Sequence, residues 1–190
     1  MSRLFLVRHG PTHVKGLIGW TDVDVDLSNT GALKRLTDRL PNCPITSSDL
    51  KRATKTADAI ADMRLRINPD PQLRELNFGD WEGQTGSEVA KTHPELAKNY
   101  WSNPGPHAPP NGESWDVAAA RFSDAADRLM ASHGDVIIVA HMGVIMTQIA
   151  RAARIDPHSA LAFQIDNLSV TTLERLDETH WRILGINHIY

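Results

Sequence analysis

Two stretches of the chain are apolar without alternation. Leu4 to Val7 and Val136 to Ala140 are short runs rich in β-branched residues, a pattern that predicts strands covered on both faces, as in a parallel sheet between helices. Pro44–Thr46 and Leu65–Asn68 read as two further short strands. "SVTTLERL" and "HWRILGI" read as a closing pair joined at Asp177-Glu178. Between them the period changes to that of helices. Ser28 is placed to cap a helix carrying Leu33, Leu36 and Leu40. "LKRATKTADAIADM" aligns Leu50, Ala53, Ala57, Ile60 and Ala61, and "SWDVAAARFSDAADRLM" sets Trp115, Ala118, Phe122, Ala125 and Leu129 on one face. A last helix follows Gly143, with Ile145, Ile149 and Ala152 inward. Strands alternating with helices predict a three-layer α/β/α sandwich with a mostly parallel central sheet.

The whole chain, 1–190, is expected to form one domain, with a loop or cap region at about 76–115. "NPGPHAPPNGES" (Asn103 to Ser114) is a proline- and glycine-rich loop within it. Composition narrows the functions. Hydrophobic content of 41% and charged content of 23% are those of a globular protein, and a net charge of −3 gives no basis for binding nucleic acid. The single cysteine, Cys43, allows no intrachain disulfide, and no segment approaches the ~20 apolar residues of a membrane span. A cytoplasmic protein with neither nucleic-acid nor membrane partners is expected; the sequence says nothing of oligomeric state.

The chemistry lies where the two apolar runs end. The first delivers Arg8, His9 and Gly10, and the second His141, Met142 and Gly143. Ligands of open parallel sheets bind at the carboxyl ends of the strands, so both imidazoles are expected in one pocket. Gly10 permits close approach by a ligand backbone or phosphate. Gly143 opens a helix whose free N–H groups attract an anion, and the Arg8 guanidinium suits a tetrahedral oxyanion. A neutral imidazole in an anion pocket suggests phosphoryl transfer with histidine as the nucleophile. Thr12 could offer a hydroxyl and Gly19 a backbone N–H to the same anion. The remaining histidines lack the spacing of zinc ligands, so no metal site is expected.

"LVRHGPT" resembles the signature of the histidine phosphatase superfamily, also called the phosphoglycerate mutase-like family. "GWTDVDVDLSNTG", "TSSDLKRATKTA", "LRELNFGDWEG" and "VAHMGVI" are similar to its further elements, in the same order and over nearly the whole chain. The resemblance implies a metal- and cofactor-free enzyme that forms a phosphohistidine on His9. Arg8, Arg52 and His141 would complete a cationic pocket for the phosphoryl oxygens. Glu75 would be the general acid and then the base, leaving Glu82 to structural hydrogen bonds.

Three positions depart from the family pattern. Pro11 replaces a glutamate or glutamine. Lys15 stands where many members have asparagine and could supply charge in its place. Met142 makes one wall of the substrate pocket more apolar. A phosphatase acting on a small phosphate ester is therefore expected, with α-ribazole phosphate suggested by "LRELNFGDWEG". A cofactor-dependent phosphoglycerate mutase is the alternative, favoured by "GWTDVDVDLS". Opposing it, residues 83–114 carry only Lys91 and Lys98 and no arginine to hold a second phosphate. A non-catalytic phosphate- or partner-binding module is the third reading, and the filled catalytic positions oppose it.

Overall fold

The computed structural model describes residues 1–190. Five strands form one sheet: β1 (Ser2–Arg8), β2 (Ile45–Ser47), β3 (Val136–Ala140), β4 (Val170–Arg175) and β5 (Trp181–His188), in the order β2-β3-β1-β4-β5. β1 and β2 both pair parallel to β3, whereas β4 pairs antiparallel to β1 and to β5. Four strands thus share one direction and only β4 is reversed. All five residues of β3 are fully buried, which is why that strand is continuously apolar.

The two faces of the central strands support separate cores. Leu4, Leu6, Val136 and Ile138 pack with helices α5 (Trp115–His133) and α6 (Met142–Ala153). Val7, Ile45, Ile137 and Val139 pack with α1 (Thr30–Arg39) and α2 (Lys51–Ala61) on the other face. Neighbouring residues of β1 and β3 therefore point to opposite cores, as the pleat requires, and the expected three layers are present.

The boundaries differ from the sequence reading in three places. Leu65–Asn68 does not become a strand and contributes only an Ile45–Arg66 bridge beside the sheet edge. The cap of α1 is Asn29 rather than Ser28. Asn29 Oδ1 accepts from Ala32 N at 3.1 Å, while the Ser28 N–H is taken by Asp26 Oδ1. Residues 84–102, for which no helix was expected, hold α3 (Gly86–Thr92) and α4 (Pro94–Ser102). These two short helices pack over Trp81 in a third cluster with Val89, Ala97 and Tyr100, apart from both main cores. A short α7 (Pro157–Ala160) follows α6.

The 103–114 loop contains no helix or strand, as expected, and it braces the segment after Glu75. Pro110 O accepts from Asp80 N and Asn77 O from Glu113 N. Gly79, at φ +51°, sits so close to this loop that a Cβ there would lie 2.1 Å from Pro110 O. No helix is long and apolar enough to cross a membrane.

Candidate active site

The parallel register of β1 and β3 brings the two strand ends side by side. Arg8 pairs with Ala140, so the next residues, His9 and His141, emerge together with ring centroids 5.0 Å apart. Both are buried, at 7% and 0% exposure. Arg52, in the first turn of α2, is 1% exposed and donates Nε–H to Nδ1 of His141 at 3.2 Å. Its terminal nitrogens donate to the carbonyls of Gly19 and Thr21. Arg8 donates from Nη1 to Ile165 O at 2.6 Å, and its buried Nε has no acceptor. An orphaned guanidinium N–H in a buried site is a place for an anion.

The protonation of both rings follows from their partners. Nδ1 of His9 is 2.7 Å from Gly10 O. A carbonyl only accepts, so Nδ1 carries the proton and Nε2 keeps a free lone pair. Burial, and then the Arg52 guanidinium, push the His9 pKa down to about 3, so the ring is neutral. His141 is likewise held well below its ordinary value, by burial first and Arg52 second. Because Nδ1 accepts from Arg52, the proton is on Nε2 and is donated to Ser48 Oγ at 2.7 Å. In the ligand-free site His141 is therefore neutral, and Arg8 and Arg52 carry the positive charge. Desolvation and a neighbouring guanidinium both disfavour imidazolium.

Glu75, 7% exposed, lies against the start of α6. Its Oε1 accepts from Leu76 N and Val144 N, and its Oε2 from Gly143 N at 3.0 Å. The Gly143 N–H does meet an anion, as the sequence suggested, but that anion is Glu75 itself. Helix N-termini favour carboxylates as readily as phosphates. A side chain at 143 would collide with it, since a Cβ would lie 2.7 Å from Glu75 Oε1. The Glu75 charge also favours the charged forms of both Arg8 and Arg52, against the burial that lowers them. The cations and the carboxylate thus occupy one neighbourhood.

Other expected ligand contacts resolve differently. Gly19 does not offer its N–H to the site, because Glu82 accepts from it through both oxygens. Glu82 also accepts from Trp20 N, Thr21 N, Thr21 Oγ1 and Phe78 N, which is the structural role anticipated for it. The close approach that requires Gly10 is made by Val25 and Leu27, whose side chains would meet a Cβ at 2.9 and 3.1 Å, rather than by a ligand. Thr12 is half-buried and Lys15 exposed on the loop after the signature, with no hydrogen bond to the histidines. Met142 is 41% exposed and lines a pocket of about 340 Å³ beside Glu75. No three His, Cys, Asp or Glu side chains are grouped to hold a metal ion.

Four contributors were not foreseen. Ser48 holds His141. Asn167 Nδ2 donates to His9 O at 2.7 Å. Trp20 Nε1 and Arg121 Nη2 both donate to Glu75 O. Ser48 lies within the recognised "TSSDLKRATKTA" stretch, so its place in the site could have been suspected. Trp20 lies in the recognised "GWTDVDVDLSNTG" stretch in the same way, whereas nothing near Arg121 signals its long-range partners.

A doubly covered sheet, paired strand-end imidazoles and two guanidinium groups together make an anion site suited to phosphoryl chemistry, and several relatives of the chain are phosphoric monoester hydrolases by name. The chain belongs to the histidine phosphatase superfamily (branch 1), whose profile matches residues 4–189. It is 32% identical over 194 aligned residues to phosphoglycerate mutase-like protein 4 of Arabidopsis thaliana, covering 96% of this chain and 83% of that protein. It is 30% identical to the adenosylcobalamin/alpha-ribazole phosphatase of Escherichia coli, over 86% of this chain and 85% of that one. Among solved structures, YhfR of Bacillus stearothermophilus superposes with a TM-score of 0.88 at 26% identity, covering 100% and 98% of the two chains.

Proposed function

We propose that the chain hydrolyses a small phosphomonoester through a covalent phosphohistidine on His9. The observation that carries this reading is the bond from His9 Nδ1–H to Gly10 O, which leaves a neutral, oriented Nε2 near the half-buried Arg8 and the buried Arg52. In the first step the Nε2 lone pair forms a bond to phosphorus and the ester P–O bond breaks. Glu75, an anion before the ester binds, takes up a proton from solvent on binding and gives it to the departing alkoxide oxygen. Oε2 is the oxygen for that proton, since it accepts one N–H where Oε1 accepts two. In the second step Glu75 takes a proton from water as the water attacks phosphorus, and the N–P bond breaks to return His9 and phosphate.

Arg8 and Arg52 stabilise the equatorial oxygens, where phosphoryl transfer most needs charge. Each charge-assisted hydrogen bond of this kind contributes ~1.5–3 kcal/mol. His141 joins them when the ester arrives as a monoanion and passes its proton to Nδ1. The ring becomes imidazolium, keeps Nε2–H on Ser48, and turns Nδ1–H to a phosphoryl oxygen. These side chains supply the positive charge, so turnover is expected to survive EDTA and to need no cofactor.

Hydrolysis is favoured over mutase chemistry because 83–114 has no arginine and its only lysines, Lys91 and Lys98, are both exposed. The filled positions of both histidines, both arginines and Glu75 oppose a non-catalytic module. Likeness to the E. coli phosphatase keeps α-ribazole phosphate among the candidate substrates. Rapid quench into alkaline detergent after mixing with a 32P-labelled phosphomonoester should trap a phosphohistidine that is stable to alkali and lost in acid, absent in His9→Ala together with at least ~10³-fold in turnover. Near-normal turnover by His9→Ala would end this reading. Transfer of label to a second alcohol in place of water would favour the mutase.

A further inference from the structure

The pocket beside Glu75 is where the alcohol part of the ester must sit, and its walls have a definite chemistry. Nine of its twelve lining residues are hydrophobic. Phe78, Tyr100, Trp101 and Trp115 supply aromatic surface, and Met142 and Met146, on α6, supply flexible thioether surface. Glu75 is the only charged side chain among the twelve. Burial, and then the charges of Glu75 and Glu113, push the Tyr100 hydroxyl up, so that phenol stays neutral.

No cation faces this space. Arg74 is committed to both oxygens of Asp49. Arg121 is committed to Glu113 and to the carbonyls of Gln72, Arg74 and Glu75. Lys15, Lys91 and Lys98 are exposed and line none of it. At about 340 Å³ the cavity is near the small end of the ~300–1,000 Å³ common for ligand pockets.

We infer that the physiological ester carries an uncharged, apolar or aromatic alcohol of one or two rings, and that the pocket rejects an alcohol bearing a second carboxylate or phosphate. A second anion would be buried among apolar side chains with no cation in the pocket lining to pair with it, which the site can meet only by weaker binding. This rests on the phosphatase reading above and adds the substrate class to it.

The test compares two primary alkyl esters of similar size, 2-phenylethyl phosphate and 2-carboxyethyl phosphate, on the full chain. The expected result is a kcat/KM at least ~10²-fold higher for the phenyl ester, carried mainly by KM. Leu161→Arg, which places a cation at the exposed rim of the pocket, should narrow that ratio by ~10-fold or more. Equal rates, or preference for the carboxylate, overturn the inference and leave the phosphatase reading intact. Failure to hydrolyse either ester, or p-nitrophenyl phosphate, overturns both. If Leu161→Arg does not fold by circular dichroism, the wild-type ratio alone decides.

Discussion

Arg52 Nε–H points at Nδ1 of His141 from 3.2 Å, and this contact decides where the second imidazole keeps its proton. With Nδ1 an acceptor, Nε2–H must find a partner, and in this buried place the partner is Ser48 Oγ. A helix arginine, a strand-end histidine and a loop serine thus form one chain of donors and acceptors.

Ser48→Ala removes the acceptor and leaves a buried N–H unpaired, which costs ~1–3 kcal/mol of stability. The ring is also freed to turn, so kcat/KM should fall by roughly 10-fold with His9 untouched. Denaturant unfolding and steady-state kinetics check the two parts. A stability loss with kcat/KM within ~2-fold of wild type shows that Ser48 only packs. Ser48→Thr, which keeps the hydroxyl, should restore most of the rate.

The two depressed histidines make stability depend on pH with a definite sign. Each is neutral when folded and takes up a proton on unfolding below its ordinary value of ~6.5. The unfolded chain therefore binds more protons in this range, and stability falls as pH drops from ~6.5 towards the His9 value of about 3. Above ~6.5 these groups contribute no slope. The expected slope is up to ~1.4 kcal/mol per pH unit for each histidine. Urea melts at about pH 5–5.5 lie below the ordinary histidine value and above the range in which depressed carboxylates such as Asp49 and Asp166 titrate. There His9→Asn should take up about one proton fewer on unfolding than wild type. An unchanged slope in His9→Asn would mean that His9 is not held neutral.

Glu75→Gln keeps an oxygen to accept N–H groups but has no proton to give. Its loss should be at least ~10²-fold with alkyl phosphates and much smaller with p-nitrophenyl phosphate, whose leaving group needs little assistance. Gly143→Ala should act on the same step from outside. Its methyl group would meet Leu76 Cδ1 at 2.5 Å and Glu75 Oε1 at 2.7 Å, so kcat with alkyl phosphates should drop by about 10-fold or more. Equal losses on alkyl and p-nitrophenyl esters in Glu75→Gln would move the acid elsewhere.

Glu82→Ala deprives the backbone N–H groups of Gly19, Trp20 and Thr21 of their acceptor. A cost of about 2–4 kcal/mol is expected, given ~1–3 kcal/mol for each buried group left unpaired and partial rescue by water. Arg52 donates to the carbonyls of Gly19 and Thr21, so phosphate affinity should fall as well. Thermal melts with and without inorganic phosphate report both effects. A variant as stable as wild type removes Glu82 from its structural role.

The parts of this protein that could be read from its sequence are those written in local periodicity. β3 is apolar at every position because both faces are covered, and Phe122 and Ala125 mark α5 by spacing alone. His9 and His141 were legible as residues ending two buried strands, whereas the identities of Arg52 and Glu75 came from motif order. Donor–acceptor pairing at a distance was not legible. Gly19 and Gly143 were each read as donors to phosphate, yet they are met by Glu82 and Glu75, 63 and 68 residues away in sequence. Helices α3 and α4 were missed because each buries only one or two side chains, Val89 in one and Ala97 and Tyr100 in the other. The reciprocal Thr85–Glu88 cap was a signal within reach.

Trp81, Val89, Ala97 and Tyr100 pack with one another and not with the residues that hold the strands together. Selection can therefore redraw the walls that greet the alcohol, through Tyr100, Trp101 and Pro104, without disturbing the imidazoles and guanidinium groups anchored at the strand ends. Tyr100, Trp101 and Pro104 are thus the positions at which a new specificity disturbs the chemistry least, whereas Leu76, Trp115 and Met146, which line the same pocket, belong to the main core.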